Sequence, residues 1–333
     1  MFAVTLLIDT GSSNTWVGAQ LLTNPFVPTS SAATGNLVEV MYGSGFFVGQ
    51  EFTDTIHLGD LAIENQSFGG ALLAQGFDDV DGILGIGPVA LTCGTLIPAG
   101  LIGAHEIGIS FEPSSSLDNA NGELTFGGVD TSKFTGPLNF VPITSTAPAN
   151  EFVGIDQSIT FGSADGPTVL ASTSGVTDTG TTLLLIATDA FNTYQTLTGA
   201  TLDATTGLLR LDPDQVGSLQ SLFFHIGDVR RSPSSLSFHH PSGLRTNQSG
   251  CMRLQNVLEF TPNAQIWPRA LNSAIGGDAD SVFLIVNDIG SLSGEGLDFI
   301  DGMTFLERFY YVFDVANSQV GFATTEFTDA TTN

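Results

Sequence analysis

The sequence predicts a mainly β protein made of two similar lobes, on three observations. The stretch Asp9-Thr10-Gly11-Ser12-Ser13 returns as Asp178-Thr179-Gly180-Thr181-Thr182, 169 residues further on in a chain of 333. The 39 glycines, with Ser, Thr, Val and Phe throughout, favour many short strands joined by turns. The length itself suggests about two domains, each with enough chain for a sizeable core. A single Asp-Thr-Gly is an ordinary turn signal. Two copies, each preceded by small or apolar residues and followed by hydroxyl residues, point to one loop built twice.

Along the chain, Leu6-Leu7-Ile8 reads as the end of a buried strand and Asp9-Thr10-Gly11 as the tight turn leaving it. Residues 36 to 63 give two alternating runs around a hairpin tip at Tyr42-Gly43-Ser44-Gly45. The stretches GELTFGG and PLNFVPIT continue the strand pattern to Thr144. Helix signals are few. The best is 187 to 199, with Asp189 near its start and Gly199 after its end. The lobe boundary is expected between Gly136 and Pro142, giving an N-terminal lobe of residues 1–138 and a C-terminal lobe of 139–333.

Composition narrows the partners. The chain is 42% hydrophobic and 13% charged, which suits a globular protein. No apolar run approaches the roughly 18 residues of a membrane-spanning helix, so no membrane partner is expected. With 34 acidic against 8 basic residues the net charge is −26, which repels nucleic acid and other polyphosphates. The same balance suits acid, where protonated carboxylates leave few positive charges to repel one another. A generic solubilising surface is the other reading. Cys93 and Cys251 form no disulfide framework, and the sequence gives no support for pairing them. Asn65-Gln66-Ser67 and Asn247-Gln248-Ser249 are glycosylation triplets of a kind that arises easily by chance.

Residues 228 to 258 stand apart. They hold Arg230, Arg231, Arg245, Arg253, His239 and His240, with no acidic residue from Val229 to Leu258. A basic patch for a partner is one reading. The favoured one is an extraneous insertion without strand pattern, looping out from the surface.

The chemistry follows from the repeated aspartate. Two carboxylates a few ångströms apart do not easily both ionise, so the pair holds one proton over a wide pH range. One member is then a base that takes a proton from water, and the other an acid that donates to a carbonyl oxygen, as hydrolysis of an amide requires. Neither a metal nor a cofactor is needed. Gly11 and Gly180 let backbone N–H groups approach the carboxylates. Ser12 and Thr181 are placed to donate to the outer carboxylate oxygens, and Thr10 and Thr179 to bond across to the opposite loop. Local turn capping is the plainer reading of these four hydroxyls, and their duplicated context favours the functional one.

These residues resemble the pepsin-like aspartic endopeptidases, of the secreted basidiomycete type, over nearly the whole chain. The motifs that carry the likeness include LLIDTGSSNTWVGA, YGSG, FDDVDGILGIGP, DTGTTLLLIA and SGEGLDFIDGMTFLERFYYVFD. The resemblance implies a bilobal all-β acid protease fold, two pseudo-symmetric β-barrel-like lobes with the active-site cleft between them. It makes Asp9 and Asp178 the catalytic pair, and Tyr42 the tyrosine of a flap with Trp16 accepting into its hydrogen-bond network. It makes Gly43, Ser44, Gly45 and Thr182 binders of substrate backbone, and Ile83 part of the apolar pocket on the amino side of the scissile bond. Tyr42 as a plain cross-strand aromatic and Trp16 as plain core are the alternatives. A hairpin closing over substrate would also exclude bulk water. Implied too are protein and peptide substrates, broad preference for hydrophobic residues, inhibition by pepstatin-type compounds, a monomer, and extracellular or alternatively vacuolar residence.

Four features depart from the family pattern. Only eight residues precede Asp9, so the chain is expected to begin inside the first lobe. The stretch between Pro88 and Ile107 is short, and the basic stretch at 228 to 258 interrupts a normally continuous region. Asp301 stands where most members carry an apolar residue before glycine. Competing functions are weaker. An actin-like or chaperone-like ATPase also has duplicated Asp/Gly/Thr loops. Against it stand the charge of −26, the single Lys133, the shortage of helices and the tyrosine hairpin. A non-catalytic binding protein on the same fold would be expected to have lost a triad, and both are intact. An acid glycosidase has no sugar-binding groove to support it.

Overall fold

A computed structural model of the protein describes residues 3–21, 23–77, 80–88, 101–116, 122–227 and 256–332. The apolar run before the first aspartate forms β1 (Leu6–Asp9), followed by β2 (Trp16–Val17), β3 (Ala32–Met41), β4 (Phe46–Leu58), β5 (Leu61–Gln75) and β6 (Gly82–Gly85). They build one six-stranded sheet in the order β1-β6-β2-β5-β4-β3. The hairpin expected around residues 42 to 45 is the β3–β4 connection, where the Tyr42 N–H donates to the Gly45 carbonyl at 2.8 Å. Gly45 is required there: a Cβ on it would fall 1.9 Å from the Gln75 carbonyl oxygen. Asn65 of the first glycosylation triplet is exposed at a bulge in the β4–β5 pair, with φ +56°.

Next come β7 (Glu106–Phe111), β8 (Gly122–Phe126) and β9 (Asn139–Pro142), then β10 (Gly154–Phe161), β11 (Thr168–Thr177), β12 (Leu184–Ile186) and the helix α1 (Thr188–Thr198). Helix α1 lies where the sequence predicts it and stops at Gly199, whose φ of +71° is left-handed. The strand pattern expected to reach Thr144 ends at Pro142. Beyond it Ile143 and Thr144 donate to Ser318 and Gly154 instead of continuing the ladder.

The remaining strands are β13 (Thr201–Leu202), β14 (Leu209–Leu211), β15 (Leu222–Ile226), β16 (Asn256–Phe260), β17 (Val282–Leu284), β18 (Val286–Asp288), β19 (Phe299–Asp301), β20 (Phe309–Asp314) and β21 (Gln319–Thr324), with the one-turn helix α2 (Met303–Leu306) before β20. A seven-stranded sheet runs β16-β15-β10-β11-β19-β12-β18, with β13, β14 and β17 in a small third sheet. A five-stranded sheet, β8-β7-β20-β21-β9, takes strands from both sides of residues 138/139 and so ties the two halves together.

Residues 256 to 258, read from sequence as part of the insertion, are instead the start of β16. Asn256, Val257 and Leu258 pair with Ile226, His225 and Phe224, because Asn256 and Leu258 alternate inward with Phe260 in a regular half-buried strand. The basic residues from Arg230 to Arg253, together with Cys93, Cys251 and Asn247, lie outside the described residues.

The two lobes repeat one local pattern. In the first, β1 runs parallel to β6, and β6 pairs antiparallel with β2. In the second, β11 runs parallel to β19, and β19 pairs antiparallel with β12. Ile8 faces Leu84 as Thr177 faces Asp301, so each Asp-Thr-Gly loop leaves the same point of the same strand arrangement. The largest apolar cluster joins the second lobe to the five-stranded sheet, with Phe224, Phe260, Phe305 and Phe309 in edge and tilted contact. The first lobe has a smaller aromatic core around Trp16, Phe47 and Phe77. Burial of each such ring contributes about 1.5–3 kcal/mol.

Candidate active site

The two loops meet between the lobes and are held by a reciprocal set of hydrogen bonds. Thr10 Oγ1 donates to the Thr177 carbonyl at 3.0 Å and accepts the Thr179 N–H at 3.0 Å. Thr179 Oγ1 donates to the Ile8 carbonyl at 2.7 Å and accepts the Thr10 N–H at 3.1 Å. Both threonines are buried behind the aspartates, where no water competes for these bonds.

The carboxylates face one another across this lock. The Gly11 N–H donates to Asp9 Oδ1 at 2.9 Å and to Asp178 Oδ1 at 3.1 Å, and the Gly180 N–H donates to Asp178 Oδ1 at 2.8 Å. Both glycines are required by the closeness of the carboxyl groups. A Cβ on Gly11 would lie 2.5 Å from Asp178 Cγ, and one on Gly180 would lie 2.6 Å from Asp9 Oδ1. The outer oxygens are held from the side: Ser12 Oγ donates to Asp9 Oδ2, and Thr181 Oγ1 donates to Asp178 Oδ2 at 2.6 Å. Asp9 is buried, and that burial, with the charge of Asp178 beside it, pushes its carboxyl up to about 7.

A cleft of about 1150 Å³ opens over the pair. Tyr42, Gly43 and Ser44 of the hairpin line it, as do Ile83 and Thr182. Trp16 and Gly45 are not among its lining residues. Trp16 is wholly buried behind Tyr42, and its Nε1–H donates to the Tyr42 hydroxyl at 2.8 Å, so the expected direction of that bond is reversed: indole is a donor only. Gly45 instead closes the turn. Burial pushes the Tyr42 hydroxyl up to about 12, so it stays protonated and has its own O–H to donate.

Sequence reading missed Phe77, which lines the cleft and packs edge-on against both Tyr42 and Trp16, at 5.3 and 5.1 Å between ring centres. It also missed the Thr177 carbonyl that receives Thr10. An apolar residue two strands away and a main-chain oxygen leave no local signal.

Residues 3–267 match the family model described as eukaryotic aspartyl protease. The chain belongs to this family. It is 51% identical to polyporopepsin of Irpex lacteus, over 98% of this chain and 92% of that one. It is 30% identical to gastricsin of Oryctolagus cuniculus, over 96% and 77% respectively. The crystal structure of an aspartic proteinase from Irpex lacteus superposes with a TM-score of 0.87 at 50% identity, covering all of this chain and 93% of that one. The bilobal all-β fold of that family is therefore this protein's fold, and its activity is aspartic-type endopeptidase on protein or peptide substrates. The ATPase and the non-catalytic binding protein find no support. No helix among the described residues is long and apolar enough to cross a membrane.

Proposed function

We propose that Asp9 and Asp178 activate a water between them for attack on the scissile carbonyl, in acid. The observation that carries this is the single Gly11 N–H reaching an oxygen of each carboxyl group, which sets the two inner oxygens side by side. Carboxylates so close share a proton, the behaviour known for the pairs of aspartic proteases. With Asp9 pushed up to about 7, the pair keeps that proton throughout the acidic range. The ionised member takes a proton from water as the oxygen attacks, while the protonated member gives its own to the carbonyl oxygen. The tetrahedral diol collapses when the amine nitrogen is protonated and the C–N bond breaks.

In this reading Thr10, Gly11, Ser12, Thr179, Gly180 and Thr181 hold the pair, and Tyr42, Gly43, Ser44 and Thr182 contact the substrate backbone. Ile83 lines the amino-side pocket, and Trp16 and Gly45 fix the hairpin from behind. The apolar lining supports a broad preference for hydrophobic residues. We further read the chain as a secreted or vacuolar monomer inhibited by pepstatin-type compounds, with its lobes divided at 138/139.

Digestion of a denatured protein at pH 3 to 5, with and without a pepstatin-type inhibitor, tests the pair. Asp178→Asn is expected to lower kcat by at least about 10³-fold, since it removes the base or the acid from every turnover. Cleavage at the wild-type rate by that variant would sink the assignment.

A further inference from the structure

Beneath the second loop lies a carboxyl group that the hydrolytic reaction does not use. Asp301 ends β19, and its backbone oxygen accepts the N–H of Asp178 at 3.1 Å. Its side chain is fully buried, and so is that of Gln157 on β10, 144 residues earlier. Gln157 Nε2 donates to Asp301 Oδ1 at 3.0 Å. The two remaining oxygens, Asp301 Oδ2 and Gln157 Oε1, are both buried and neither has a donor. A carboxylate and an amide oxygen can each only accept, so an ionised Asp301 satisfies neither of them.

The groups around the pair supply no compensating positive charge. Tyr311 on β20 faces it with a hydroxyl paired to Thr177 Oγ1 at 2.6 Å, and Asp178 just beyond β11 is an acid itself. No lysine, arginine or histidine among the described residues acts on Asp301. A proton on Oδ2 would turn that acceptor into a donor for Gln157 Oε1, the unpartnered oxygen of the residue whose Nε2 already donates to Oδ1. Acid and amide would then share a ring of two hydrogen bonds.

We infer that Asp301 is a neutral carboxylic acid paired with the Gln157 amide, and that this pair is a positioning device for the loop of Asp178. Burial pushes the Asp301 carboxyl up to about 8, in keeping with the geometry. The strand it fixes pairs with Thr177, whose carbonyl receives Thr10, so the pair underlies the lock between both loops. Its effect on turnover rests on the dyad proposed above, whereas the protonation state does not.

The sign of the pH effect follows. An unfolded aspartate ionises near 3.8 and the folded one near 8, so in between only the folded chain keeps the proton. Stability from this group is complete below about pH 4 and is lost as pH rises towards 8, up to tenfold in the unfolding equilibrium per pH unit.

The test compares Asp178→Asn with Asp178→Asn/Asp301→Asn by denaturant unfolding, the first change preventing self-digestion. Asparagine keeps both hydrogen bonds to Gln157 without a titrating proton. The double variant is expected to fold at pH 4, and its unfolding constant to change about 100-fold less between pH 5 and 7. Infrared spectra at pH 6.5 are expected to lose one protonated-carboxyl C=O band when Asp301→Asn is introduced. An unchanged pH slope, an unchanged band, or failure of the double variant to fold at pH 4 would overturn the inference. Full activity of Asp178→Asn would overturn the dyad and leave this pair standing, so the two failures are distinguishable.

Discussion

The two Asp-Thr-Gly loops share their motif, their strand pairing and their donors, yet they rest on different floors. Under Asp9 the strand position facing Ile8 is Leu84, packed in the main apolar cluster with Ile86 and Ile107. Under Asp178 the equivalent position is Asp301, which accepts one hydrogen bond from an amide on a third strand. The loop geometry is therefore fixed by the motif and the threonine lock, while the layer below is free to be apolar or polar. It is free only so long as every buried polar atom finds a partner. The difference also divides the pH response. Among the described residues the first lobe contributes Asp9, raised to about 7, and Glu106, raised by burial and by the charge of Asp314. The second contributes two, Asp301 at about 8 and Glu307 at about 7, the latter raised by burial against the opposing pull of Arg308.

Three measurements bear on the two floors and the lock above them. Between pH 5 and 6.5 Asp301 and Glu307 keep in the fold protons that the unfolded chain has mostly released. Together they are expected to lower the unfolding free energy by about 2–3 kcal/mol per pH unit, up to about 1.4 for each group. Denaturant titrations of Asp178→Asn, where Asp9 no longer has the charge of Asp178 beside it, report the slope across that window, with Glu307→Gln removing one share. A flat profile would mean that neither group is protonated in the fold.

Exchanging the floors is the next test. Leu84→Asp puts a carboxyl into an apolar cluster that gives it no amide partner, and is expected to destabilise by about 3–5 kcal/mol. Thermal unfolding at pH 4 measures it. A near-neutral change would show that the first lobe can receive an acid as readily as the second.

The lock itself is symmetrical, so Thr10→Val and Thr179→Val are expected to cost about 1–3 kcal/mol each, and to agree within about 1 kcal/mol. Each leaves one main-chain N–H and one carbonyl without their threonine partner. A large inequality between the two melting temperatures would break the equivalence of the loops.

Much of this was legible in the residues. The duplicated Asp-Thr-Gly announced both the two lobes and the facing aspartates, since turn chemistry and spacing are local. The β3–β4 hairpin followed from Tyr42-Gly43-Ser44-Gly45 between alternating runs, and α1 from its pattern and its terminal Gly199. The end of the basic stretch was misread, because Asn256-Val257-Leu258 is too short to show a strand until Phe224 and Ile226 lie beside it. The direction of the Trp16–Tyr42 bond was also misread, though indole chemistry alone decides it.

The residues alone mark the candidates for the chemistry: two aspartates, their glycines and their hydroxyl neighbours, all within a few residues of one another in each loop. Long-range packing sets how close the carboxyl groups come, that Phe77 backs Tyr42 of the hairpin, and that Asp301 meets Gln157. Those contacts join strands far apart in the chain, and a buried acid's charge state depends on what surrounds it in space. Asp301 read as an oddity in a motif until Gln157, 144 residues away, was found donating to it.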